Sequence, residues 1–128
     1  VSVPPGVTIL EAYLQFQVDE TDSVATSLTL EGEAVDHAAS FTDAAGDISS
    51  RPRTAAATSW SPDPWTVRGE AGADQRTPDM SAVIQEIVNR PGWSSGNALA
   101  IIVTGSGKRV AESFEGDANG APLLHIRY

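Results

Sequence analysis

The sequence predicts an all-β chain, an antiparallel β-sandwich with one short α-helix around residues 78–90. Three observations lead there. Short runs alternate apolar with polar residues, clusters of Pro, Gly, Asp and Ser separate them, and only one segment has helical periodicity. A parallel α/β fold would need helices alternating regularly with strands, and the chain lacks that rhythm. At 128 residues it has the length of one domain, read here as residues 1–128, a module of a larger protein.

The elements follow in order. Val3-Pro4-Pro5-Gly6 is a connector, because two prolines remove backbone donors and the glycine favours a turn. From Ile9 to Val18 the residues Leu10, Ala12, Leu14, Phe16 and Val18 share one face, opposite Glu11, Gln15 and Gln17, which is a half-buried strand. After the polar loop Asp19–Ser23, Ser27–Ala34 alternates again, with Leu28, Leu30 and Ala34 inward and Thr29, Glu31 and Glu33 outward. Residues 36–53 are weakly patterned and read as a long loop holding one helical turn, with Phe41 and Ile48 as its apolar anchors. Thr54–Trp60 is a strand of small residues, and Ser61-Pro62-Asp63-Pro64 turns the chain into a short strand at Trp65–Arg68.

Thr77-Pro78-Asp79 reads as a helix start, with a capping threonine, a proline at the first helical position and an aspartate facing the helix dipole. Met80, Ile84, Ile87 and Val88 then share a face, and Pro91-Gly92 ends the helix, placing Trp93 where it packs the helix end onto the sheet. Ala98–Thr104 is apolar on both faces and suits a central buried strand. Val110–Phe114 and Pro122–Tyr128 complete the strands, the last with Leu124, Ile126 and Tyr128 aligned.

Composition narrows the function classes. Seventeen acidic residues against eight basic ones give a net charge of −9, so nucleic acid and anionic membrane are poor partners. No cysteine is present, which removes disulfides and thiolate metal sites. The longest apolar stretch, Ala98–Val103, is too short to cross a bilayer. With only eight aromatic residues and much Ala and Val, the expected core is thin and made of short side chains.

Three segments carry a resemblance: Val3-Pro4-Pro5-Gly6-Val7-Thr8-Ile9 leading into Ala12-Tyr13-Leu14, Thr77–Val88 followed by Asn97-Ala98-Leu99, and the ending Ala121-Pro122-Leu123-Leu124-His125-Ile126-Arg127-Tyr128. In order and spacing they resemble the DNRLRE family of bacterial extracellular jelly-roll domains, which are related to certain carbohydrate-binding modules. The resemblance implies a jelly-roll sandwich, an extracellular or cell-surface location and attachment to enzymes or surface proteins. The family's namesake motif is absent as written, since Lys108-Arg109-Val110-Ala111-Glu112-Ser113-Phe114 stands in its place. Domains of this kind carry one or two strands before the Pro-Pro-Gly connector, and here two residues precede Val3. An open sheet edge is therefore expected, to be met by a neighbouring domain or an upstream strand of the same protein.

The expected function is a non-catalytic binding or accessory module, with polysaccharide as the candidate ligand; a structural spacer or assembly unit is the alternative. His37 and His125 are the only histidines, and no Gly-x-Ser-x-Gly or His-Glu-x-x-His motif accompanies them. A glycoside or ester hydrolase would have to rest on groups such as His37, Glu31 and Glu33, and the two glutamates read as one solvated strand face. Trp60 and Trp65 bracket a Pro-rich turn; either they form a sugar-stacking platform with Arg68 and Glu70, or they pack the core. Calcium is the one cofactor the acidic loops suggest, because it prefers several oxygen ligands. Glu33 with Asp36 is the candidate pair, beside Asp19, Glu20 and Asp22 and the pair Glu115 and Asp117, and solvated loops are the competing reading.

Overall fold

The computed structural model describes residues 1–128. Strands β1 (Glu11–Gln15), β2 (Val18–Glu20), β3 (Ser27–Glu33) and β4 (Arg53–Trp60) precede helix α1 (Ser81–Val88), and β5 (Ile101–Ser106), β6 (Val110–Ala111) and β7 (Leu123–Arg127) follow it. All pairing between strands is antiparallel: β1 with β7, β2 with β6, and a three-stranded sheet in the order β4-β3-β5. The fold is thus strand-rich and antiparallel with one helix, as the alternating patterns predict.

The predicted strand from Ile9 to Val18 is broken in two. The backbone N–H of Phe16 donates to the Gln75 carbonyl at 3.0 Å, so the chain leaves β7 there and restarts as β2 beside β6. Leu10, expected inward, is exposed. The expected strand at Trp65–Arg68 shrinks to one bridge, in which Trp65 and Asp22 exchange backbone hydrogen bonds of 2.9 Å. Val110–Phe114 keeps only two residues as β6 and leaves Phe114 exposed.

The helix begins later than its cap signal. Thr77 and Asp79 turn their side chains to β1 instead: Thr77 Oγ1 accepts the Leu14 N–H and Asp79 Oδ1 accepts the Ala12 N–H, each at 3.0 Å. Asp79, one residue ahead of the N-cap Met80, also accepts the Ser81 N–H at 3.2 Å, so it takes up the first N–H of α1 and one edge N–H of β1 together. Desolvation pushes its carboxyl up, but hydrogen bonds from Ser81, Ala12 and Met80 outweigh that and hold it below the usual aspartate range.

The apolar face of α1, formed by Val83, Ile84, Ile87 and Val88 with Met80 ahead of it, is buried against the sheets. Gly32 makes the close approach possible: a Cβ there would lie 2.6 Å from Ile87 Cδ1 and 3.2 Å from Val83 Cγ1. The core is less thin than composition suggests, because all three tryptophans join it. Trp93 docks the helix end as expected and donates its indole N–H to the Val3 carbonyl at 2.9 Å.

Residues 36–52 contain no strand, and the Ser50 N–H to Gly46 carbonyl bond of 2.9 Å closes the single helical turn. The anchor is polar. Phe41 and Ile48 are both exposed, whereas the Arg51 side chain is only 8% exposed and donates to Glu33 Oε2 at 2.8 Å, to the Ala39 carbonyl at 2.8 Å and to the Ser40 carbonyl at 3.0 Å. Glu33, expected outward, is buried beneath this loop. Ala98–Thr104 is corrected as well, since β5 lies at the edge and β3 at the centre of its sheet. No helix is long and apolar enough to cross a membrane.

Candidate functional site

Trp60 closes β4 opposite Leu28, and the Pro62–Pro64 turn brings Trp65 back beside it. Their rings lie 6.4 Å apart and tilted by 52°, with the Phe16 ring stacked on Trp60 at 5.8 Å. Trp60 is 9% and Trp65 2% exposed, and the Trp65 indole N–H donates to the Asp74 carbonyl at 3.2 Å. A flat pyranose needs an open ring face, and these rings offer none. Arg68 and Glu70 are exposed, and Arg68 reaches Asp19 at 3.1 Å. The four expected ligand-binding residues therefore do not form one platform: two are core and two are surface.

The turn between the tryptophans is held by a residue that motif reading passed over. Arg109 donates to the carbonyls of Asp63 at 3.1 Å, Pro62 at 2.9 Å and Val24 at 2.8 Å, and to Thr26 Oγ1 at 2.9 Å. Its only mark in the sequence is its place beside Lys108 in the sole basic pair.

Glu33 and Asp36 are also separated in use. Glu33 pairs with Arg51, and Asp36 Oδ1 accepts the Arg90 Nε–H at 2.7 Å, so both carboxylates face guanidinium groups. No three of the carboxylates and histidines converge in a way that could hold a metal ion. His37 accepts the Ala98 N–H through Nδ1 at 3.1 Å, and His125 stacks on Tyr13 at 4.6 Å. The two histidines thus serve a loop and a strand pair.

One carboxyl is shifted upward. Partial desolvation, together with Asp19 and Asp117 nearby, pushes the Glu112 carboxyl above its usual value. A carboxyl raised in the folded state favours folding only while it is protonated, so this contribution is lost as pH rises from the ordinary glutamate value through the raised one. Glu112→Gln is therefore expected to raise the thermal midpoint at about pH 7 and to leave it unchanged at about pH 3, where both forms are neutral. A variant that melts lower than the parent at neutral pH would contradict this.

The largest apolar opening lies elsewhere. A groove of about 520 Å³ runs between the β5 edge and the β1–β7 pair, lined by Leu14, Phe16, Leu99, Ile101, Val103 and Leu124, with Phe41 and Pro122 at its rim. Val103 is 45% and Phe41 54% exposed, both high for large apolar side chains. A smaller cavity of about 150 Å³, reaching Trp60 and Trp65, also has Phe16 and Val103 in its wall. Sequence reading assigned Ile101 and Val103 to a central strand, and the one signal of their role is that Asn97–Gly107 carries no charge. Compared with protein-family models, with curated proteins and with solved structures, the chain matches none.

Proposed function

We propose that this chain is a non-catalytic assembly module of an extracellular or cell-surface protein, built as a two-layer, jelly-roll-like sandwich. The observation that carries the reading is the apolar groove, open between two sheet edges, while the tryptophans that would serve a sugar are packed inside. The resemblance of its three segments to DNRLRE domains supports the architecture and the location. A structural or adhesion role needs a surface that other protein can cover, and the groove is such a surface. Polysaccharide binding is the weaker reading, because its aromatic platform would have to be built by exposing Trp60 and Trp65.

A glycan array probed with the whole chain is expected to stay blank, with iodide quenching little of the tryptophan emission. A glycan that binds and further protects the tryptophans would overturn the assembly reading in favour of carbohydrate recognition.

A further inference from the structure

The chain seals some strand edges with its own groups and leaves the outer edges of β5 and β7 bare. The outer edge of β4 is covered by α1, where the Glu86 carboxylate accepts the N–H groups of Ala55 at 2.9 Å and Ala56 at 2.8 Å. The outer edge of β1 is covered by the segment before α1: Thr77 N–H bonds to the Leu14 carbonyl at 3.0 Å and Met80 N–H to the Ala12 carbonyl at 2.7 Å. Since Ala12 and Leu14 face that segment, alternation sends Glu11, Tyr13 and Gln15 to β7, and Leu124 and Ile126 of β7 turn their backbone groups away. On β5 the Glu33 N–H to Ala100 carbonyl bond of 2.9 Å sets the phase. Ile102 and Thr104 bond to β3, and the N–H and C=O groups of Ile101 and Val103 point outward without partners.

Both bare edges border the same groove. The side chains of Ile101 and Val103 share the face of buried Leu30 and line it from one sheet, while Leu124 lines it from the other. Unpaired backbone beside an apolar trough is what an extended peptide covers, with main-chain bonds along the edge and every second side chain in the trough. Edge strands are usually guarded by charge or proline, yet Asn97–Gly107 has neither.

Resting on the assembly reading above, we propose that β5 accepts one extended strand from a partner polypeptide, with apolar side chains at alternate positions and lysine or arginine between them. The strand pairs with Ile101 and Val103 and fills the groove over Leu124. Charge selects this occupant over a second copy: two chains of net charge −9 repel, whereas a basic segment is attracted.

The probe is a synthetic peptide of about nine residues, a usual strand length, with valine alternating with lysine and threonine. Added to the isotope-labelled full chain, it should bind saturably and slow amide exchange at Ile101 and Val103 by about tenfold or more, leaving the already bonded Ile102 much less affected. Val103→Lys should abolish the effect with an unchanged melting curve, because Val103 is half exposed. Three results would overturn the proposal. The free monomer could already protect Ile101 and Val103 as strongly as Leu30. A peptide of the same composition with its valines clustered could bind equally well, which would make the groove merely adhesive. Protection could instead grow with protein concentration alongside a dimer in sedimentation, which would make a second copy the occupant. A glycan that binds without changing these amides would end the assembly reading by itself, so the two failures are distinguishable.

Discussion

Trp65→Ala is expected to cost about 3–5 kcal/mol of folding stability, the usual range for deleting a buried tryptophan. The indole is 2% exposed, packs against Trp60 and Phe16, and leaves the Asp74 carbonyl without its donor when removed. Against a domain stability of about 5–15 kcal/mol this is a large share, so Trp65→Phe serves as the milder partner variant and should fall between the two. Urea titration gives the comparison, with Arg68→Ala as the surface control, since one exposed ion pair is worth about 0–1 kcal/mol. If Trp65→Ala shifted stability no more than Arg68→Ala does, the indole would be a surface group and the sugar-stacking platform would return as the better reading.

Gly105→Ala is the second large effect. Gly105 sits in β5 at φ +136°, and a Cβ there would run into the Ser27 carbonyl oxygen and come within 2.9 Å of Leu28 Cα. Both are backbone of the central strand, so no side chain can swing aside. Overpacking of this kind costs about 1–3 kcal/mol, and a left-handed backbone adds about 1–2 kcal/mol for a residue with a Cβ. A loss of about 3 kcal/mol or more is expected, with β5 displaced from β3 and the groove altered with it. Gly6→Ala separates the two causes, because Gly6 is at φ +78° with nothing within 4 Å of the added carbon. Only the backbone strain should appear there; equal losses at both positions would mean that the contact with β3 is not the cause.

Period-two alternation was enough to locate β3 and β7 in the sequence, because each has one face on apolar neighbours and one toward polar groups or solvent, and β4 was marked by its run of small residues ending at the Ser61-Pro62-Asp63-Pro64 turn. The helix face of Met80, Ile84, Ile87 and Val88 was legible for the same reason at period 3.6. Its start was not, because Thr77 and Asp79 have side chains that can cap a helix or bond a neighbouring strand, and β1 takes them. Nothing local announces that choice.

The candidate site was the least legible part. Whether Trp60 and Trp65 face a sugar or the core depends on Phe16, 44 residues before Trp60, and on the Arg109 clamp that folds the intervening turn. Glu33 looked solvated by alternation, yet the loop carrying Arg51 covers it, since a guanidinium largely withdrawn from water must find a carboxylate. Local pattern thus determined the kind of element formed at β3, β4, β7 and α1. Tertiary structure alone decided that β5, apolar on both faces, lies at an edge, because which strands are neighbours follows from the hydrogen-bond ladder across the chain. Hydrophobicity records how much burial a residue favours, and only the assembled sheets show where that burial is still incomplete.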